Sequence, residues 1–168
     1  LPLVLCCNGG QQDLIEQLAA GRPNCYLLAP EAVWERDYTP WPAPALAGRG
    51  PFSGGGPAFL EGLEQRLLPL VAQRYALALR PERTAVMGYS LGGLFALWAF
   101  CRSNLFGTAL CLSGSFWYEG WLEFLQKQRL AAKGRVYLSL GKKEEQNGPA
   151  PLRRVGACTR DTASLLQQ

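Results

Sequence analysis

The chain is 168 residues long, with 17 lysines and arginines against 13 aspartates and glutamates, a net charge of +4. Hydrophobic residues make up 48% and charged residues 18%, which excludes a disordered chain, and the length suits a single domain spanning residues 1–168. The basic residues are spread along the chain apart from Arg153, Arg154 and Arg160, which argues against a nucleic-acid partner, and no run of 18 apolar residues offers a membrane span.

Leu1 to Cys7 is a continuous apolar run closed by Asn8-Gly9-Gly10, the pattern of a buried strand entering a tight turn. From Asp13 the spacing of Leu14, Ile15, Leu18 and Ala19 predicts a helix, stopped by Gly21 and Pro23. Asn24 to Ala29 reads as the next strand. Pro30 to Pro57 is rich in proline and glycine and is expected to be a long irregular loop bordering the functional site. Phe59, Leu63, Leu67, Leu70 and Val71 then recur at helical spacing, with a kink expected at Pro69, which lacks an N–H for the helix ladder.

Thr84 to Met87 is β-prone, Gly88 to Gly92 a sharp turn, Leu91 to Arg102 an apolar helix and Thr108 to Leu112 another strand. A loop with Phe116, Trp117, Tyr118 and Trp121 leads into a helical stretch over Leu122 to Leu130, and Arg135 to Leu140 is a further strand. The tail predicts an amphipathic helix with Leu152, Val155, Cys158, Thr162 and Leu165 on one face. Strands alternating with helices predict an α/β fold, a mostly parallel sheet with helices on both faces. The six cysteines sit mostly inside apolar runs without metal-ligand spacing. They read as small core residues in a reducing, cytoplasmic compartment.

The chemistry concentrates at Gly88-Tyr89-Ser90-Leu91-Gly92, a G-x-S-x-G segment with a strand before it and a helix after it. In that context the glycines permit a turn too tight for side chains, and the serine hydroxyl projects at the carboxyl edge of the sheet. Ser90 is therefore the candidate nucleophile. The Leu91 N–H, at the start of a helix, supplies half of an oxyanion hole, and the turn carrying Gly9 and Gly10 is the candidate for the other half. The competing readings are a plain glycine-rich turn at each place, the first of them a phosphate-binding one.

The run Gly88-Tyr89-Ser90-Leu91-Gly92-Gly93-Leu94-Phe95-Ala96-Leu97 resembles the nucleophile region of the esterase-D-like esterases, an α/β-hydrolase family with a branch of siderophore trilactone esterases. Arg36-Asp37-Tyr38-Thr39-Pro40, Gly54-Gly55-Gly56 with Phe59-Leu60, and Leu112-Ser113-Gly114-Ser115-Phe116-Trp117 are similar to that family in kind and order, so the likeness covers nearly the whole chain. It implies a serine carboxylic-ester hydrolase that forms an acyl-enzyme on a small-molecule ester, siderophore-type or other, without metal or organic cofactor. The implied acid lies in Gly141-Lys142-Lys143-Glu144-Glu145, with Glu144 preferred and Glu145 second, though a dyad without an acid is also known there. Arg36, Tyr38 and Trp117 are the implied substrate contacts.

The chain departs from the family in holding no histidine, so it lacks the imidazole that takes a serine proton. Lys142 and Lys143 stand in no recognisable serine–lysine motif. The resemblance would place the histidine one strand beyond Gln168 and would start the chain on the family's third strand, so truncation at both ends is the expectation. The alternative is a non-catalytic hydrolase-fold binding protein.

Overall fold

The computed structural model describes residues 1–9, 11–21, 23–44, 46, 50–128, 134–146 and 150–167. Five parallel strands form the main sheet: β1 (Leu3–Cys7), β2 (Tyr26–Leu28), β5 (Thr84–Tyr89), β6 (Thr108–Leu112) and β7 (Arg135–Ser139), in the order β2-β1-β5-β6-β7. Two further strands, β3 (Pro42–Ala43) and β4 (Phe52–Ser53), pair as a small antiparallel hairpin. The helices are α1 (Gln12–Ala20), α2 (Trp34–Asp37), α3 (Gly56–Gly62), α4 (Leu68–Tyr75), α5 (Leu91–Arg102), α6 (Trp121–Gln126), α7 (Ala150–Arg153) and α8 (Val155–Leu166).

Strand order and crossover handedness decide which face each helix covers. From β1 the chain steps outward to β2, then returns across the sheet to β5 and continues through β6 to β7. Parallel crossovers are right-handed, so α1 lies on one face while α3 to α6 lie on the other. Burial agrees. Leu3, Leu5, Cys7, Val86, Ala109 and Cys111, which share the α5 face through the register of β1, β5 and β6, are all buried. On the α1 face Tyr89 and Tyr137 are 42% and 55% exposed.

The core is built around α5, whose residues Leu91 to Cys101 are all buried. Such a helix is apolar all round because sheet covers one side and other helices the rest. Phe95 lies at its centre, with Tyr38, Phe59 and Trp98 rings 5.5–5.7 Å away. A second cluster ties α6 to α8: Trp121 stacks on Phe116 at 5.4 Å and donates from Nε1 to Thr162 Oγ1 at 3.0 Å. Val155, Cys158 and Thr162 are buried along one face of α8, the stripe the sequence predicts.

Elsewhere the structure corrects the sequence reading. The long loop is not irregular throughout, since it contains α2 and the β3–β4 hairpin and ends as α3 begins at Gly56. The Pro69 kink takes the form of a π-helical turn over Leu63–Leu67, in which the Leu68 N–H reaches back to Leu63 O. The wider turn accommodates the proline ring that an α-turn would drive against a carbonyl. Leu70 is 63% exposed and lies outside the apolar stripe. The helix expected to reach Leu130 ends at Gln126, and Leu130 lies outside the described residues. All six cysteines are free thiols, five buried and Cys25 half-buried. Burial raises the Cys6 thiol to about 11 and pushes Cys7 and Cys111 higher.

Two glycines permit the central close approach. A Cβ on Gly88 would lie 2.2 Å from the Gly92 backbone, and one on Gly92 would lie 1.9 Å from the Cys7 carbonyl oxygen. Both contacts are backbone, so no side chain can swing aside. Gly92→Ala is expected to cost about 3 kcal/mol or prevent folding, whereas Gly62→Ala in α3 should be neutral or stabilise by up to about 1 kcal/mol. Urea unfolding of the two variants checks the contrast.

Candidate active site

The strand exits that build the site lie at the topological switch point. β1 sends its connection one way along the sheet and its neighbour β5 sends its connection the other, opening a crevice at their carboxyl ends. Ser90 follows β5 directly, with φ 56° and ψ −120°, a left-handed backbone that serine rarely adopts. Hydrogen bonds hold it there: the Ser90 N–H donates to Leu112 O at 3.0 Å, and Ser90 O accepts from the N–H groups of Leu94 and Ser115 at 3.1 and 3.0 Å.

Ser90 opens into a hollow of about 770 Å³ lined also by Tyr89, Ser113, Ser115, Trp117, Gly141 to Glu144, Leu152 and Val155. Its hydroxyl lies 3.3 Å from Ser115 Oγ. Leu91 is the first residue of α5, so its N–H has no intrahelical acceptor and stands at the positive end of the helix.

Glu144 lies across the hollow on a short 3₁₀ turn after β7. Its Oε1 accepts from Ser113 Oγ at 2.6 Å and from the Gly141 N–H at 2.8 Å, so the carboxylate is fixed in direction. Glu145 points away, accepting from Arg160 Nη2 at 3.2 Å on an exposed surface of α8. Of the two glutamates the sequence left open, Glu144 is the one that shares the hollow with Ser90.

Other expectations fare differently. Gly9 does follow β1 beside the elbow, but its N–H donates to Tyr38 Oη at 2.9 Å and its carbonyl accepts from Trp34 Nε1 at 2.7 Å. An N–H committed to a buried phenol is not presented to a ligand, and Gly10 lies outside the described residues. Tyr38 has no exposed surface, and burial drives its phenol well above the usual range. It is a core strut, not a substrate contact. Arg36 does not line the hollow either; its exposed guanidinium pairs with Asp37 at 2.8 Å. Trp117 does line it, backed by Phe52 with ring centroids 6.2 Å apart.

The long loop therefore supports the site from behind, and none of its described residues lines the hollow. Trp41 Nε1 donates to Glu119 O, and Tyr118 Oη donates to Trp41 O, fastening the loop to the segment after β6. Ser113 and Ser115 were missed as site residues. Their signal was present in Ser-Gly-Ser placed directly after a strand whose neighbour carries the elbow. Among the described residues, no group of three or more His, Cys, Asp or Glu side chains gathers as a metal site, and no helix is long and apolar enough to cross a membrane.

Residues 8–164 match the family model described as "Putative esterase". The chain belongs to this esterase family. It is 33% identical over 111 residues to the uncharacterized protein YbbA of Bacillus subtilis, a match covering 64% of this chain and 44% of that protein. It is 38% identical over 96 residues to the iron(III) enterobactin esterase of Escherichia coli K12, covering 51% of this chain and 24% of that protein. The chain thus spans less than half the length of these curated relatives. Its fold is similar to that of the enterobactin esterase FES from Shigella flexneri solved in the presence of enterobactin, with a TM-score of 0.73 and 22% identity over 99% of this chain and 42% of that one.

The assignment of Tyr38 to the core has a direct check. Tyr38→Phe keeps the ring but leaves the Gly9 N–H without its acceptor, and should lower stability by about 1–3 kcal/mol. Ester hydrolysis should stay within a few-fold of the parent when assayed below the unfolding transition. A large rise in KM without loss of stability would return Tyr38 to the substrate contacts.

Proposed function

We propose that these residues carry the nucleophile and acid of a serine carboxylic-ester hydrolase acting on small-molecule esters. The observation that carries the reading is Ser90: a strained serine at a strand-to-helix turn, at the switch point, opening into a hollow it shares with a fixed carboxylate. Ser90 Oγ attacks the ester carbonyl, the Leu91 N–H takes the developing oxyanion, and water later releases the acyl group. With the Gly9 N–H engaged, Gly10 is the proposed second donor. Glu144, aimed by Ser113 and Gly141, orients and stabilises the imidazole base. No histidine stands among the 168 residues, so the reading requires that base from beyond them.

The names of the relatives support siderophore-type esters as the substrate class, with Trp117 as a contact for the bound ester. Free, buried thiols are compatible with a reducing compartment such as the cytoplasm. The second reading, a hydrolase-fold binding protein without catalysis, is favoured by one observation only, the missing histidine.

Hydrolysis of p-nitrophenyl butyrate separates the two. The protein made from the complete coding sequence should show activity that Ser90→Ala abolishes, while the 168-residue chain should be slower by about 10⁴-fold, the usual cost of losing one triad member. Equal Ser90-dependent activity in both would show that a base other than histidine serves the site. No activity in either supports the binding protein. Glu144→Gln should lower kcat by between about 10²- and 10⁴-fold while Glu145→Gln leaves it near the parent; the reverse pattern would move the acid to Glu145.

A further inference from the structure

We propose that the Ser115 hydroxyl is a catalytic group of this site, donating a hydrogen bond to Ser90 Oγ as that oxygen takes on negative charge. The inference rests on the reading of Ser90 as the nucleophile. Ser115 is 2% exposed, yet it lines the Ser90 hollow, and its Oγ lies 3.3 Å from Ser90 Oγ. Among the described residues that is its hydroxyl's only hydrogen-bond contact. A buried hydroxyl is costly to keep unless it has a partner, and the partner here is the reacting oxygen.

The loop that presents Ser115 is tied to the elbow through the main chain. The Ser115 N–H donates to Ser90 O at 3.0 Å, and Ser115 O accepts from the Tyr118 N–H at 3.0 Å. Gly114 is pressed against the first turn of α5: a Cβ on Gly93 would lie 3.0 Å from Gly114 Cα. The two hydroxyls are therefore fixed relative to each other by main-chain contacts that removal of the Ser115 side chain leaves in place.

At 3.3 Å the contact is longer than the usual hydroxyl pair, about 2.8 Å. An interaction that is loose at rest and tightens as charge builds stabilises the transition state more than the ground state, which is the condition for raising kcat. The Ser90 proton passes to the base as the bond forms between Ser90 Oγ and the acyl carbon and the carbonyl π pair moves onto its oxygen. When that oxyanion collapses, the C–O bond to the alcohol breaks, the alcohol leaves with the proton from the base, and Ser115 keeps its own proton throughout. On deacylation the same hydroxyl stabilises Ser90 Oγ again as the acyl bond breaks and the proton returns from the base.

The test uses protein made from the complete coding sequence, as parent, Ser115→Ala, Ser115→Cys and Ser90→Ala. Four quantities are read: kcat and KM for p-nitrophenyl butyrate, the rate constant for labelling Ser90 with a fluorophosphonate, and Tm. Ser115→Ala should lower both kcat and the labelling rate by about ten- to a hundredfold, with KM changed by less than about twofold. Ser115→Cys, close in shape but a weak donor, should fall between, and it carries the comparison if the alanine variant does not fold. Parent-like kcat and labelling in either folded variant, or a change in KM or Tm alone, would reduce Ser115 to a loop support and overturn the proposal. Hydrolysis that survives in Ser90→Ala, or a parent whose Ser90 is not labelled, sinks the nucleophile reading itself and this inference with it.

Discussion

The rest of the site depends on one constraint, the contact between the first turn of α5 and the ends of β1 and β5. Gly92 sits where any side chain would strike the Cys7 carbonyl, and Gly88 where one would strike Gly92. Because α5 is pressed so close to the sheet, the chain must leave β5 and enter the helix within a single residue. That residue is Ser90, and its positive φ is the geometric result. Backbone strain of this kind costs on the order of 1–3 kcal/mol and persists only where the surroundings over-determine it. Here the buried length of α5 and three hydrogen bonds to the Ser90 peptide groups hold it.

The same device recurs one strand further along. Ser113 leaves β6 with φ 48°, and its N–H donates to Ser139 O on β7 just as the Ser90 N–H donates to Leu112 O on β6. Two left-handed serines at successive strand ends turn their hydroxyls to the same edge of the sheet, where both line one hollow. Ser90 faces the hollow unencumbered except by Ser115, while Ser113 is spent on holding Glu144. The parallel register thus sets the distance between the two groups: neighbouring strands bring the elbow and the carboxylate's clamp side by side, although they are far apart in sequence.

What could be read from the chain follows from how local each cause is. The limits of α5 and β6 were legible to the residue, because an unbroken apolar run flanked by glycine, serine and arginine has few alternatives. The place of Ser90 at a strand-to-helix turn was legible for the same reason, since strand, G-x-S-x-G and helix are consecutive. Tyr38 and Gly9 were not, because whether an N–H is free depends on a phenol 29 residues away that reaches it only through the packing of the long loop. That loop looked irregular because its prolines and glycines mask a hairpin of two residues per strand, too short to show alternation. Only the family resemblance, and nothing in the residues themselves, ranks Glu144 ahead of Glu145. A 3₁₀ turn separates them, sending one side chain to Ser113 and the other to Arg160.

The charges around the hollow complete the argument. Its lining holds Lys142, Lys143 and Glu144, with the lysines exposed and the glutamate half-buried. The carboxylate has two donors on one oxygen, which fix its position. A fixed carboxylate in the lining favours a protonated base beside it. On the proposed reading, an imidazole that takes the Ser90 proton in this hollow would be stabilised in its charged form by the Glu144 carboxylate, which Ser113 and Gly141 already hold in place.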